Sequence, residues 1–320
     1  MDITIEQVCR LLNSHDNILL LTHMNPDGDT LGSAFGLQLA LEKLGKQVRV
    51  ECSDPFPERY DFFRPKAPPK VFSPDFIVAV DIADQQLFGA KLEPYKGRVD
   101  LCIDHHPSNT RYAAASCVRP EAGATAEVIW AVILGMGVQP DRPMATCLYT
   151  GISTDTGCFK YSNATAQTHR IAAELMDLGV DHAKIDRLMF DVKSKARIEM
   201  ERRVIAGLEY FCDHKGALIY FTRQMLEETG ANEAELDGLS VIPRQIEGVE
   251  VGVTLREKEE GFKVSLRTNE YLDASAICAS LGGGGHVRAA GCFVSGSLEE
   301  AKRKVVAAIE RAMDQSAPRQ

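Results

Sequence analysis

Carboxylate and imidazole side chains recur in four short polar segments of the first half of the chain. These segments are HMNPDGDT with His23, Asp27 and Asp29, the end of FIVAVD with Asp81, the triplet Asp104, His105 and His106, and STDTG with Asp155. Imidazole and carboxylate ligands together suit Mn²⁺, Fe²⁺ or Zn²⁺, whereas Mg²⁺ is less favoured when histidines take part. If the segments meet in one crevice, five aspartates and three histidines lie together there. Such a density of negative charge requires cations, and two divalent metal ions are the simplest solution.

Each of these residues also has an ordinary structural role open to it. Asp27 or Asp29 could simply form a turn or cap the helix that follows. Asp81 could cap a helix, and His106 could be a hydrogen-bonded histidine of the core. The joint occurrence of the four segments favours one metal site over four unrelated structural roles.

Apolar runs and helical spacing indicate how these segments are positioned. Short apolar runs predict strands at residues 17–22, 48–52, 76–82 and 99–103, and helical patterns cover 30–44, 124–134, 144–152 and 166–178. This alternation predicts an α/β domain with a mostly parallel sheet covered by helices. We place all four polar segments at strand ends, because polar residues beyond the carboxyl ends of parallel strands converge in space.

The remaining sequence predicts a second, smaller domain of the α+β class. At 320 residues the chain exceeds what one core usually holds, so two domains are expected. We predict a metal-binding catalytic domain at 1–190, a charged connecting helix at 191–212 and a substrate-binding domain at 213–320. Strands are expected at 217–222, 249–257 and 262–268, and a final helix at 298–313.

Four consecutive glycines at 282–285 are followed by His286 and Arg288 in the second domain. A stretch without side chains lets backbone N–H groups approach an anion closely, although such a run is often only a flexible hinge. The flanking helix-like ICAS and strand-like AAGCFV favour a fixed turn. Arg267 and Arg244 are further candidates for phosphate contact, because a planar guanidinium pairs with phosphate through two hydrogen bonds. For Arg244 an ordinary surface position is equally compatible with the sequence.

Composition narrows the class of substrate and the compartment. A net charge of -9 argues against nonspecific coating of nucleic acid and favours a small or short phosphorylated substrate. Nine scattered cysteines without a C-x-x-C pair predict reduced thiols. No export signal and no run of ~18 apolar residues is visible, so we expect a cytoplasmic protein that does not enter membranes.

The four polar segments together resemble the four motifs of the DHH phosphoesterase family. GGGGHVRAAG, residues 282–291, resembles the glycine-rich signature of the DHH-associated C-terminal domain found in many members. The resemblance spans almost the whole chain, from His23 to Gly291. Length and motif order most resemble the bacterial nanoRNases that also dephosphorylate pAp, which is 3'-phosphoadenosine 5'-phosphate.

This resemblance implies a role for each site residue. One metal would be held by His23, Asp27 and Asp81, and the other by Asp29, Asp81, His105 and Asp155, so that Asp81 bridges. Asp104 would orient a histidine, and His106 would lie near the scissile phosphate. The substrate would be gripped by Arg267, Gly283, Gly284, Gly285, His286 and Arg288. The expected ions are two Mn²⁺, with Mg²⁺, Co²⁺ or Fe²⁺ as alternatives.

The implied activity is hydrolysis of short oligoribonucleotides, of pAp, or of both by metal-activated water. Short RNA or DNA oligonucleotides and small phosphorylated nucleotides are the expected partners. Hydrolysis of cyclic or linear dinucleotides is the main alternative, because the same centre could perform it with a different second-domain pocket. A non-catalytic nucleotide sensor is disfavoured, since all the expected metal ligands are present. The preferred substrate, the cleavage polarity, the native metal and the existence of a homodimer stay open.

Overall fold

The computed structural model describes residues 1–66, 68, 70–236 and 238–316. The chain divides into two compact units, Met1–Val192 and Lys193–Gln320. Among the described residues, no helix combines the length and the apolar character that crossing a membrane requires.

The first unit contains a five-stranded parallel sheet with the strand order β2-β1-β3-β4-β5. Its strands are β1 (Ile18–Leu21), β2 (Val48–Glu51), β3 (Phe76–Val80), β4 (Leu101–Asp104) and β5 (Ala115–Val118). Four of them are buried along their whole length, as expected for a parallel sheet covered on both faces. In the edge strand β2, buried residues alternate with partly exposed ones. The chain leaves β1 toward β2 and returns to β3 on the other side, so the crevice between β1 and β3 is a topological switch point.

Helices cover one face of this sheet. They are α1 (Ile5–Ser14), α2 (Gly28–Lys43), α3 (Thr125–Gly135), α4 (Arg142–Asp155), α5 (Ala166–Asp177) and α6 (His182–Asp186). Their core includes Ile18 and Leu20 of β1, whereas Leu19 and Leu21 point to the other face. That second face is covered by the short helical turns Gln85–Phe88 and Ala90–Tyr95. Other short turns are Glu58–Tyr60 and Arg187–Asp191.

Helices α2 and α4 cross at very short distance because glycines line the contact. A Cβ atom at Gly32 would lie 2.4 Å from the carbonyl oxygen of Cys147, and one at Gly28 would lie 2.2 Å from Oγ1 of Thr154. Only residues without a side chain allow this approach. The contact brings the first turn of α2 to the last turn of α4.

The second unit contains a six-stranded mixed sheet with the order β10-β11-β9-β8-β7-β6, in which only β7 and β8 pair in parallel. Its strands are β6 (Glu209–Phe211), β7 (Gly216–Phe221), β8 (Val251–Lys258), β9 (Gly261–Thr268), β10 (Gly284–His286) and β11 (Ala289–Ser295). Its helices are α7 (Lys195–Ala206), α8 (Arg223–Thr229), α9 (Ala274–Ala279) and α10 (Leu298–Ser316), with short turns at Glu233–Leu236 and Ile242–Gln245. The predicted fold class, a parallel α/β sheet followed by a smaller α+β unit, is confirmed.

The helix expected at 191–212 is shorter in the structure. The Ser194 hydroxyl accepts a hydrogen bond from the backbone N–H of Arg197 and caps α7, which ends before Gly207. Residues 209–211 then form β6. The buried side chains of Met200 and Val204 pack with strand β7 of the second unit, so α7 is part of that unit's core.

Candidate metal centre

The first polar segment lies between β1 and α2. Nδ1 of His23 is 2.8 Å from the carbonyl oxygen of Met24 and therefore carries the hydrogen, which leaves the Nε2 lone pair free. Nε2 lies 3.6 Å from Oδ1 of Asp27 and 3.8 Å from Oδ2 of Asp81. Asp27 is also the N-cap of α2, since its Oδ1 accepts hydrogen bonds from the backbone N–H groups of Asp29 and Thr30. Asp27 therefore caps α2 and also lies beside a candidate metal ligand, His23.

Asp81, directly after β3, is the central carboxylate. Its side chain is 3% exposed, and its backbone has a φ of 61°. Aspartate tolerates this left-handed conformation better than most residues, and such positions concentrate at functional sites. Its Oδ1 accepts a hydrogen bond of 2.8 Å from Oγ1 of Thr125 and lies 4.0 Å from Nε2 of His105. Asp81 thus has one oxygen toward His105 and the other toward His23.

Asp104 ends β4 and holds the turn that follows it. Its Oδ1 accepts from the backbone N–H of His105 at 2.8 Å and from Nδ1 of His106 at 2.8 Å, while Oδ2 accepts from Nδ2 of Asn109 at 2.6 Å. Burial tends to raise the pKa of Asp104, but the hydrogen bonds from His106 and Asn109 outweigh it and lower this pKa. The same hydrogen bond raises the pKa of His106, against the opposing effect of burial. Asp104 therefore orients His106.

His105 contains a buried nitrogen that lacks a hydrogen-bond partner. Its Nδ1 is 3.1 Å from the carbonyl oxygen of Ala122, so Nε2 has the lone pair. Nε2 is buried without any hydrogen bond among the described residues, 3.5 Å from Oδ2 of Asp155. A buried polar atom of this kind is costly unless a partner binds it. A metal ion beside the carboxylate is a partner that suits a bare imidazole nitrogen.

Asp29 is buried and touches the N-terminus of α3. Its Oδ2 accepts from the backbone N–H of Thr125 at 2.6 Å, and Oδ1 accepts from that of Ala126 at 2.9 Å. The N-cap position of α3 is Ala124, which has no side chain able to cap. Asp29 supplies the missing acceptors from another helix and interacts favourably with the helix dipole. It is therefore not the cap of its own helix.

Asp155 does not follow a strand, so our expectation of four strand-end segments is wrong for this residue. It is the last residue of α4 and reaches the other carboxylates because α4 crosses α2 closely. Nδ2 of Asn163 donates a hydrogen bond of 3.3 Å to its Oδ2. A carboxylate at a helix C-terminus faces the negative end of the dipole, which is unfavourable without a cation.

The electrostatics of the cluster show an excess of negative charge. Burial and the neighbouring Asp155 raise the pKa of Asp29 to about 7. Burial, followed by the charges of Asp29 and Asp27, raises the pKa of Asp81 well above its usual value. The pKa of Asp155 is raised as well, mainly by burial. Cations in the cluster would remove this repulsion.

The donor set fits divalent metal ions. Three groups of residues place ligand atoms within 4.8 Å of one another: His23, Asp27 and Asp81; Asp81, His105 and His106; and Asp29, His105 and Asp155. Nitrogen and carboxylate oxygen atoms bound to one ion at ~2.0–2.2 Å are at most ~4.4 Å apart. The Nε2 atoms of His23 and His105 lie 3.5–4.0 Å from the carboxylate oxygens that face them, which is within this limit. His106 differs, because the nitrogen that faces Asp81 is Nδ1, at 3.5 Å, and this nitrogen is already bonded to Asp104. His23 and His105 face the carboxylates through Nε2 and are therefore the histidines best suited as ligands.

Three polar residues of the site were not identified from the sequence. Thr125 holds Asp81, Asn109 holds Asp104, and Asn163 holds Asp155. Residues of these types are common in turns and at helix starts. Only the hydrogen bond to an aspartate of the cluster marks each of the three as part of the site. The short spacing of Asn109 after the DHH triplet is the one local signal that could have suggested its role.

The predicted substrate residues lie in the second unit. Gly284–His286 form β10, paired with β11 in a hairpin, and all three residues are exposed. The backbone N–H of Gly283 donates to the carbonyl oxygen of Cys278 at 2.8 Å, which fixes the start of the hairpin. Arg267 is half-buried at the end of β9 and donates to the carbonyl oxygen of Leu266 at 3.2 Å.

The two other arginines considered for phosphate contact differ in their surroundings. The Arg288 guanidinium donates to the carbonyl oxygens of Leu272, at 2.9 Å, and Glu270. These hydrogen bonds fix a neighbouring loop, a structural role that the sequence did not indicate. Arg244 is exposed in the turn Ile242–Gln245.

Comparison with known proteins shows which family the chain belongs to. The DHH family, N-terminal domain, matches residues 17–152, and the DHHA1 domain matches residues 216–315. The chain is 36% identical over 302 residues to the bifunctional oligoribonuclease and PAP phosphatase NrnA of Thermus thermophilus, covering 91% of this chain and 89% of that protein. It is 23% identical to the protein of the same name from Bacillus subtilis, covering 93% and 95% of the two chains.

A solved structure shows the same fold. The exopolyphosphatase-related protein from Bacteroides fragilis superimposes with a TM-score of 0.83 at 25% identity, covering 97% of this chain and 96% of that one. The chain therefore belongs to the DHH phosphoesterase family and carries a DHHA1 domain after its DHH domain.

Proposed function

We propose that this protein hydrolyses phosphoester bonds in short oligoribonucleotides and in pAp with two divalent metal ions. The observation that carries the proposal is the cluster around Asp81, where the Nε2 atoms of two histidines face the carboxylates of Asp27, Asp81 and Asp155 at metal-binding distances. The relatives from Thermus thermophilus and Bacillus subtilis, both named as oligoribonuclease and PAP phosphatase, support this choice of substrates.

We assign His23, Asp27 and Asp81 to one ion and Asp29, Asp81, His105 and Asp155 to the other. The mixed nitrogen and oxygen donors suit several divalent ions, and among them we propose Mn²⁺ as the native metal, with Co²⁺, Fe²⁺ or Mg²⁺ as substitutes. When bound, such ions lower the pKa of a water and offset negative charge on phosphoryl oxygens.

The chain's own residues orient the reacting groups. Thr125 donates to Asp81 and fixes the shared carboxylate. Asp104 accepts the hydrogen on Nδ1 of His106, which leaves Nε2 of His106 for a phosphoryl oxygen or the leaving oxygen of the substrate. These hydrogen bonds pre-organise the centre before substrate arrives.

We propose that the second domain selects the substrate. Arg267, His286 and the exposed backbone of Gly284 and Gly285 offer donors to the remainder of a nucleotide. Gly283, whose N–H is bonded to Cys278, contributes by letting the ligand approach closely. Arg288 contributes to the same surface mainly by fixing the loop at Glu270 and Leu272. A division into a catalytic domain at 1–190 and a substrate-binding domain at 213–320 follows from this assignment.

The proposal is tested by comparing substrates directly. Protein loaded with Mn²⁺ is incubated with pAp, a dinucleotide RNA, a much longer RNA and cyclic di-AMP, and the initial rates are compared. We expect hydrolysis of pAp and the dinucleotide to exceed that of the other two. Preference for cyclic di-AMP would support the dinucleotide alternative instead, and absence of hydrolysis with bound metal would reject the enzyme assignment.

We also propose a reducing cytoplasm as the site of action. All nine cysteines are free thiols, which suits a compartment where disulfides do not persist. A homodimer stays a prediction, and sedimentation velocity of the metal-loaded protein would test it.

A further inference from the structure

A small cavity opens beside the candidate metal centre in the first unit. Its volume is about 210 Å³, and its lining includes the carboxylates Asp27 and Asp155 together with Arg59 and Tyr60. Met189 and Phe190 of the turn after α6 add an apolar wall. The cavity is smaller than the ~300 Å³ typical of pockets that enclose a whole ligand, so it suits one part of a substrate.

Arg59 is held in place by its neighbour rather than by a carboxylate. Its Nη2 donates to the Tyr60 hydroxyl at 2.8 Å, and its guanidinium carbon lies 4.8 Å from the centre of the Tyr60 ring. Tyr60 itself is 2% exposed and belongs to the core. The tyrosine therefore anchors an otherwise exposed guanidinium at the cavity.

The guanidinium retains free hydrogen-bond donors. Asp27 and Asp155 line the same cavity. Among the described residues, however, no carboxylate oxygen lies within 4.0 Å of a guanidinium nitrogen of Arg59, so Arg59 forms no ion pair there. Other arginines of the unit, such as Arg111 and Arg64, do have a carboxylate partner. An arginine has five N–H donors, so several remain available to a ligand.

The geometry points to a phosphate-binding subsite in this cavity, in which Arg59 binds the non-bridging oxygens of the substrate phosphate at the metal centre. This inference rests on the proposed function, because it assigns a second binding group to the same phosphate. A phosphate in the cavity would lie near both the ions of the carboxylate cluster and the guanidinium, because Asp27, Asp155 and Arg59 line the same cavity. The planar guanidinium can donate two parallel hydrogen bonds to two phosphate oxygens.

The surroundings also specify what accompanies the phosphate. Met189 and Phe190 offer apolar contact to the sugar next to it, and a cavity of about 210 Å³ suits one part of a nucleotide. Tyr60 acts as a positioning residue, since its hydroxyl accepts from Arg59 and its ring lies beneath the guanidinium.

The variants Arg59→Gln and Arg59→Lys test the assignment. We expect Arg59→Gln to lower kcat/KM for pAp and for a dinucleotide by about 10- to 100-fold, the effect of losing a charge-assisted hydrogen bond. Arg59→Lys should restore part of the loss, because it keeps the charge without the paired donors. Tyr60→Phe should cause a smaller loss in the same direction. Calorimetry with inorganic phosphate and Mn²⁺-loaded protein should show weaker phosphate binding to Arg59→Gln.

A control variant and a metal measurement distinguish a phosphate contact from damage to the fold or to the metal centre. Arg170→Gln, on the exposed face of α5, is the matched control and should match the wild type. The Mn²⁺ content of Arg59→Gln should equal that of the wild type, whereas loss of an ion would overturn the phosphate role. Unchanged kcat/KM and unchanged phosphate binding in Arg59→Gln would also overturn it. If the wild type hydrolyses neither substrate, the proposed function fails, and phosphate binding still decides the role of Arg59.

Discussion

The carboxylate cluster of the first unit and the glycine hairpin of the second unit are built in opposite ways. In the cluster, Asp29, Asp81 and Asp104 are almost fully buried, and each accepts hydrogen bonds from the chain. In the hairpin, Gly284–His286 lie exposed on the edge strand β10.

This difference matches the demands of the two proposed tasks. Groups that stabilise charge during a reaction must be held rigidly, because reorganisation at that moment would reduce their effect. Groups that hold the rest of a substrate need only be accessible and complementary. Substitutions in the cluster should therefore affect chemistry or folding, and those in the hairpin should affect binding.

The largest effect is expected for Asp81→Asn. Asparagine tolerates the left-handed backbone and can accept the hydrogen bond from Thr125, but it lacks the negative charge. We expect kcat/KM to fall by about 1,000-fold, because several kcal/mol of metal-dependent stabilisation are lost. Initial rates and the Mn²⁺ content of the variant measure this effect.

Asp16→Asn, an exposed aspartate of the same unit, is the control and should retain full activity. An Asp81→Asn protein with two bound ions and normal turnover would contradict the central position of Asp81.

The next effect concerns folding of the first unit. A methyl group at Gly32 would lie 2.4 Å from a backbone oxygen of α4, so Gly32→Ala must push α2 and α4 apart. We expect a loss of about 1–3 kcal/mol in the free energy of unfolding, typical of overpacking. The single tryptophan, Trp130 of α3, lies in this unit, so its fluorescence follows the denaturation. Weaker Mn²⁺ binding should accompany the loss, because Asp155 is at the end of α4. An unchanged denaturation midpoint for Gly32→Ala would show that α2 and α4 can move apart at little cost in stability.

A smaller effect is expected for His286→Ala in the hairpin. The KM for pAp or a dinucleotide should rise about 10-fold with little change in kcat, since the residue belongs to the unit that contains none of the candidate metal ligands. A generic substrate, bis(4-nitrophenyl) phosphate, should be hydrolysed as by the wild type. Equal losses on both substrates would remove the distinction between the two regions.

The smallest effect is expected for Gly284→Ala, the counterpart of Gly32→Ala. No atom lies within 4 Å of a Cβ at this position, so the unfolding free energy should change by less than about 0.5 kcal/mol. The added methyl group would hinder close approach of an anion to the backbone, and a modest rise in KM should follow. A marked loss of stability would mean that the hairpin is packed more tightly than its exposure indicates.

Much of the fold was predictable, because long or strongly apolar elements have clear patterns. The continuous apolar runs before Asp81 and Asp104 correspond to β3 and β4, and helix α5 lies within the predicted range. The short strands β5, β6 and β10 were not predicted, since their sequences, ASCV, EYF and GGH, contain no continuous apolar run like that of the equally short β4. Such strands depend on pairing with a neighbour that is distant in sequence.

The residue types and their places after apolar runs were sufficient to predict a metal site that includes His23, Asp81 and the DHH triplet. Parallel strands align their carboxyl ends, so residues after neighbouring strands must meet. Only the tertiary structure shows that Asp155 arrives from a helix end, that Asp29 binds the start of α3, and that Arg59 lines a cavity with Asp27 and Asp155. These contacts depend on how closely two helices cross and which loop lies beside them, and side-chain packing between distant segments decides both.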